Sequence, residues 1–247
     1  METMERSVFS SLEALKYGIR VTKDKIGFYL ALGSINGLSM LGVTVFLALL
    51  GIVASLLTYK FIPSECEIPL AILQGSSADP TNFICLSGVW LILRLSAFIF
   101  SIIREFFSLG WIKIALEEYD VGFSSYQKLF SMSPLLFRSV IASLVYYSAV
   151  VIGLFLFVVP GLYVATRLYF YKYALVDQNV SSIEALKMSY NLTQDNFWSL
   201  FGFATAVFFI NWLGFLFFGI GWFFTYPVIT LAQAYVFRKL QINLVYK

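Results

Sequence analysis

The sequence predicts an all-α fold: a polytopic membrane bundle of six transmembrane helices, arranged as three repeated hairpins that are each preceded by an interfacial amphipathic helix. Three observations predict it. Of 247 residues, 60% are hydrophobic and 13% charged, whereas a soluble domain carries about 25% charged residues. A chain of this size has too little interior to hide that much apolar surface from water. The apolar residues fall in six runs long enough to be read against a bilayer, and the basic residues collect on one side of those runs.

A crossing helix needs about 20 mostly apolar residues. Residues 26–57 supply a long first span without a charge, expected to tilt or to extend beyond the lipid. The second span is read as 83–103, interrupted by Arg94, the third as 135–158 and the fourth as 161–176. Val159, Pro160 and Gly161 are expected to make the tight turn between the last two, because proline and glycine stop helices. The fifth span is read as 197–217 and the sixth as 222–237, separated by Gly219 and Gly221. Abundant Phe (26), Tyr (15) and Trp (5) suit a bundle with aromatic belts at its interfaces.

Cytoplasmic loops are enriched in Lys and Arg. Arg6, Lys16, Arg20, Lys23 and Lys25 precede the first span; Arg104, Lys113, Lys128 and Arg138 lie between the second and third; Arg167, Lys172 and Lys187 lie in or after the fourth; Arg238, Lys239 and Lys247 follow the sixth. Lys60 alone falls on the other side, with Glu65, Glu67 and Asp79. Both termini are therefore expected in the cytoplasm. The start, Met1 to Arg6, leads into an amphipathic stretch and is not read as a cleaved leader.

The chain also repeats itself. Ser10-Ser11-Leu12-Glu13-Ala14-Leu15-Lys16 nearly recurs as Ser181-Ser182-Ile183-Glu184-Ala185-Leu186-Lys187, and Thr22 and Asp24 match Thr193 and Asp195 in the same register. Ser124-Ser125-Tyr126-Gln127-Lys128-Leu129 is a weaker third copy, and Asp120 and Asp177 each stand four residues before the first serine of their copy. Ser10 with Glu13, Ser124 with Gln127, and Ser181 with Glu184 each fit a capping box, in which serine and acid or amide satisfy backbone N–H groups at a helix start. Val8, Leu12, Leu15 and Ile19 form one apolar face, and Ile183, Leu186 and Tyr190 another. The whole chain, 1–247, is thus read as a single integral membrane domain with repeat units at about 8–120, 121–177 and 178–247.

The stretch Pro160-Gly161-Leu162-Tyr163-Val164-Ala165-Thr166-Arg167-Leu168, followed by Ala174 to Asp177, Ser182 to Leu186, Leu192-Thr193, Asp195 and Phe197-Trp198, carries a family resemblance. It resembles bacterial six-helix inner-membrane proteins of the YciC-like type, and is similar to the membrane domain of membrane-anchored glycerophosphodiester phosphodiesterases. The resemblance implies a multi-pass protein of the bacterial inner membrane. It implies no phosphodiesterase activity, because the soluble catalytic domain has no counterpart here.

Arg94, Arg104, Glu105 and Arg167 are the candidate intramembrane polar site. A cation in a span faces the bundle or a wet cavity, or snorkels outward, which is favoured for Arg94. Arg104 and Glu105 lie deep if the second helix continues toward Glu118 instead of ending at Ile103, and each then needs a partner. Arg167 is expected to pair with Glu105 or with a lipid phosphate. Asp120 and Asp177 are expected as local caps or helix-dipole partners, and Asn36, Asn211 and Gln233 as hydrogen-bonding groups between helices. Cys66 and Cys85 flank one outer loop, where a disulfide and two unpaired thiols both remain open.

Histidine is absent, which excludes an imidazole base and the commonest metal ligand. No nucleophile–base pair or phosphate-binding loop occurs, so no catalytic, cofactor or metal residues are expected. A net charge of +3 without a basic cluster argues against nucleic acid. The expected function is a non-enzymatic inner-membrane protein that interacts with lipids, with other membrane proteins or with a second copy of itself. The alternative is a transporter or channel for a small or anionic solute, which the lack of an evident broken-helix pair counts against.

Overall fold

The computed structural model describes residues 9–35, positions 42, 45, 46 and 49, and residues 80–216 and 220–245. Every regular element among them is helical. The elements are α1 (Ser11–Asp24), α2 (Ile26–Ile35), α3 (Pro80–Val121), two short 3₁₀ turns (Tyr126–Leu129 and Ser133–Leu135), α4 (Leu136–Leu156), α5 (Val158–Arg167), α6 (Tyr171–Gln178), α7 (Ser182–Leu192), α8 (Phe197–Leu216) and α9 (Ile220–Val245). The chain divides into two compact units, Met1–Ile35 with Glu105–Lys247, and Asn36–Arg104. Of the candidate polar residues, Glu105 and Arg167 belong to the first unit, and Arg94 and Arg104 to the second. Cys66 and the side chain of Cys85 lie outside the described residues, as does Asn36.

Among the described residues, two stretches are long and apolar enough to cross a membrane, Arg94–Val121 and Tyr126–Leu156. A third candidate is the pair α7 and α8, bent by 110° at its break. α3 runs for 42 residues without interruption. Hydropathy alone would end it at Ile103, but nothing local stops it: Arg104 and Glu105 are good helix formers, and between them and Gly122 there is no proline and a single glycine, Gly110. At Gly110 an added Cβ would sit 2.3 Å from the Leu129 carbonyl oxygen, so the glycine lets the 3₁₀ turn lie directly against the helix.

The turn between α4 and α5 differs from the sequence expectation. The chain reverses at Phe157, whose backbone is extended (φ −162°, ψ 156°), and Pro160 lies inside the first turn of α5. Proline is tolerated there because the N–H it lacks has no partner in a first turn. Gly161 serves packing: a Cβ on Gly153 would lie 2.9 Å from the Gly161 Cα, so the two helices meet backbone to backbone. The expected fourth span is also not one helix. α5 ends at Arg167, and α6 begins at Tyr171 after a three-residue break.

The three expected capping boxes have different fates. Ser181 and Glu184 form one in full at the start of α7. Ser10 caps α1 by backbone only, with no side-chain bond. In the third copy Ser125, not Ser124, accepts from the Gln127 N–H, and the segment makes a 3₁₀ turn in place of the expected amphipathic α-helix. A Ser-x-x-Gln pattern supplies the donors and acceptors but cannot extend a helix into Ser133-Pro134, because the residue before proline avoids the α region.

α1 buries a stripe of small residues, Ala14, Gly18 and Thr22, and leaves Leu12 and Ile19 exposed. At Gly18 a Cβ would lie 2.2 Å from the Val228 carbonyl oxygen, so α1 and α9 approach as small-residue membrane interfaces do. The buried core is built from the second half of α3 (Leu109, Trp111, Ile114), α6 (Tyr173, Leu175), α8 (Leu200, Phe203) and α9 (Leu231, Val236, Phe237). The α4–α5 hairpin points its apolar side chains outward, with Phe155 92% and Phe157 75% exposed.

Candidate functional site

Within the first unit, polar side chains of α3, α4, α6 and α9 pair between helices. Glu105 is buried on α3. Lys172 on α6 donates to its Oε2 at 2.7 Å, and Ser139 and Ser143, one turn apart on α4, both donate to its Oε1. The Ser143 and Tyr171 hydroxyls are 2.9 Å apart, extending the network to α6. Every member lies on a regular helix, so the geometry is set by backbone packing.

Arg238 on α9 forms a second centre. Its Nη2 lies 2.6 Å from Asp120 Oδ2 on α3 and 2.7 Å from Asp177 Oδ1 on α6. Gln241 accepts from Arg238 and donates to Asp177. Burial alone would raise the Asp177 carboxyl, but hydrogen bonds from Arg238 and Gln241 and the guanidinium charge outweigh it and hold the group below the usual carboxylate range. Asp120 and Asp177, expected as local caps or helix-dipole partners, both reach Arg238 on α9 and so tie helices together. A third pair joins Lys25 to Glu118 on α3 at 2.6 Å, with Lys25 also donating to the Gly122 carbonyl.

Arg167 stands apart. It is 7% exposed at the last residue of α5. Its Nε and Nη2 donate to the Tyr163 hydroxyl at 3.0 and 2.9 Å. The guanidinium lies over two rings, 5.1 Å from the centroid of Tyr163 and 4.9 Å from that of Tyr190, a favourable setting for a cation. Its Nη1 is buried without a hydrogen-bond partner. The expected pair with Glu105 is not formed, because Lys172 has taken the carboxylate. The break after Arg167 is repaired from α7: the Ser189 hydroxyl accepts from the Phe170 N–H and donates to the Arg167 carbonyl, and Thr193 donates to the same carbonyl. Hydroxyl groups from a neighbouring helix often satisfy a broken membrane helix in this way. Gln233 joins in from α9, accepting from the Tyr173 hydroxyl at 2.9 Å and donating to Tyr169 in the break.

Arg94 and Arg104 are both exposed. Within the first unit Glu105 and Arg167 are both buried and keep separate partners, Lys172 for the acid and Tyr163 for the guanidinium. Sequence reasoning counts Lys172 toward orientation and misses it as the partner of Glu105. The available signal is its position five residues after Arg167 inside an apolar stretch, where a second cation needs an acid. No grouping of three or more Cys, Asp or Glu suited to a metal occurs among the described residues. No protein-family model, no characterised protein and no solved structure matches this chain.

Proposed function

We propose that the chain is a non-enzymatic, multi-pass protein of the bacterial inner membrane, of the YciC-like type, whose role is to hold membrane lipids or other membrane proteins. In this reading six spans form three hairpins related by repetition, with both termini cytoplasmic. The observation that carries it is the division of labour among side chains. The α4–α5 hairpin and α8 present large apolar residues outward, including Phe155, Phe157, Trp198 and Phe208, as lipid-facing surfaces do. The acids Glu105, Glu118, Asp120 and Asp177 are each tied to a cation on another element, which suits architecture better than proton transfer to a substrate. Asp120 and Asp177, equivalent in the sequence repeat, meet on the single Arg238, which supports a shared ancestry of the two units.

Native mass spectrometry of protein gently extracted from its own membrane tests this reading. Retained phospholipid or a partner subunit is the expected result. A bare monomer whose melting temperature is indifferent to lipid would overturn it. Topology is checked separately with single cysteines at Gln74 and Leu244, which are expected to label from opposite sides.

One observation favours transport of a small or anionic solute as a second reading. The fourth span is broken between α5 and α6, and discontinuous helices line many transporter sites. Solute flux in proteoliposomes that is lost when Arg167 is replaced would favour it.

A further inference from the structure

Among the described residues of the first unit, Arg167 is a buried cation that forms no salt bridge. Lys172 has Glu105, Arg238 has Asp120 and Asp177, and Lys25 has Glu118. A buried guanidinium without a counter-charge is costly. Two things offset part of that cost. The carbonyl end of α5 contributes roughly half a negative charge, and the ion lies over the Tyr163 and Tyr190 rings. Neither satisfies Nη1, which has no partner; one of its N–H groups and the second N–H of Nη2 form the guanidinium edge that the Tyr163 hydroxyl leaves open. An edge with two parallel donors matches a phosphate oxyanion.

The position is also held in place. The Arg167 carbonyl is fixed by Ser189 and Thr193, and its guanidinium by the Tyr163 hydroxyl. The covering rings are part-exposed, Tyr163 at 38% and Tyr190 at 42%, so the cation lies just beneath the surface. Phe197 packs at a tilt against Tyr163, ring centroids 5.2 Å apart, and its neighbour Trp198 is 78% exposed. Such amphipathic aromatics concentrate at the headgroup level of a bilayer.

We propose that Arg167 is a phosphate-binding site, taking the phosphodiester of an anionic phospholipid or a soluble phosphate against its Nη1 edge. The proposal rests on the membrane-module reading and gives it a ligand class and a residue. The two sources share one chemistry, and the test separates them.

The test measures melting of the full chain in detergent while short-chain phosphatidylglycerol, inorganic phosphate or phosphate-free diacylglycerol is added. A ligand that binds only the folded state raises stability with the logarithm of its concentration once the site saturates. Wild type is expected to melt progressively higher with phosphatidylglycerol and to ignore diacylglycerol. Arg167→Gln is expected to lose the response. Arg167→Lys keeps the charge but not the two-donor edge, and is expected to need at least tenfold more lipid for half the effect; it carries the test if Arg167→Gln does not fold. Inorganic phosphate that reproduces the shift by itself assigns the site to a soluble ion, whereas a response to the lipid alone assigns it to a headgroup. Equal stabilisation of wild type and both variants by phosphatidylglycerol removes the site and leaves the lipid reading standing. A wild type indifferent to both phosphate compounds, or equally stabilised by diacylglycerol, also removes it.

Discussion

Replacing Lys172 by methionine isolates the best-defined interaction in the unit. Methionine retains most of the side chain's length and apolar stem, so the main loss is the charge. At 2.7 Å and an effective dielectric of about 20, the attraction between unit charges is about 6 kcal/mol before desolvation is subtracted. Without Lys172, Glu105 keeps only the hydrogen bonds from Ser139 and Ser143. Its side chain remains 9% exposed, so water cannot restore what is lost. Removing one member of such a pair costs about 3–5 kcal/mol, which for a chain of this length lowers the melting temperature by about 10 °C. Glu105→Gln in the same background removes the stranded charge and keeps an acceptor for the serines, so the double variant is expected to recover about half of the loss. The measurement is a set of four melting curves in one detergent. The reasoning fails if Lys172→Met melts within about 2 °C of wild type. It fails equally if Arg167→Leu produces the drop and Glu105→Gln rescues that variant instead, because the carboxylate would then belong to Arg167.

Other contacts give outcomes of their own. Asp177 has a lowered pKa in the folded protein, so its contribution is present above the ordinary carboxylate pKa of about 3.9 and is lost as pH falls through the lower folded value; the melting gap between wild type and Asp177→Asn is expected to hold from pH 7 to pH 5 and to close below pH 4. Gly18→Ala places a Cβ 2.2 Å from the Val228 carbonyl oxygen and is expected to lower the melting temperature by forcing α1 off α9. Gly27→Ala meets nothing within 4 Å and is expected to stabilise by up to about 1 kcal/mol through helix propensity, and reversal of the two glycine results in thermal melts would discredit the α1–α9 contact. Ser181→Ala removes a complete capping box and is expected to cost about 1 kcal/mol, whereas Ser10→Ala removes no side-chain cap and is expected to be nearly neutral; equal losses would mean that the two repeat copies start their helices alike.

The helical class and the positions of α1, α7, α8 and α9 are legible because their apolar periodicity or length leaves no rival. Two boundaries are not. Hydropathy treats charge as the end of a span, yet Arg104 and Glu105 favour helix, and α3 passes through them. Pro160 and Gly161 signal a stop, but their roles depend on surroundings: the proline sits harmlessly in a first turn, and the glycine exists to meet Gly153. The polar network is legible in its membership and illegible in its pairing. Asp120 and Asp177 stand out by recurrence, yet local sequence offers only local partners, and both reach Arg238 across the fold. Likewise Glu105 and Arg167 stand out as charges inside apolar stretches and are both buried, but which cation serves Glu105 depends on the break after Arg167. That break turns α6 so that Lys172 enters the network, and nothing in the composition of residues 161–176 marks it.

The depth of these groups explains why pairing is obligatory. Fourteen residues of α4 separate Ser143 from the reversal at Phe157, about 21 Å of helix at 1.5 Å per residue. In the proposed six-span reading, a hairpin that spans a hydrocarbon core of about 30 Å with Phe157 at the far boundary holds Ser143 and Glu105 about 9 Å inside the near one. At that depth an ionised carboxylate without Lys172 has no water to return to. Burial that forces Glu105 to keep Lys172 bears equally on Arg167, whose Nη1 has no partner, and an oxyanion from outside the chain meets that demand where the protein supplies only two tyrosine rings and a hydroxyl.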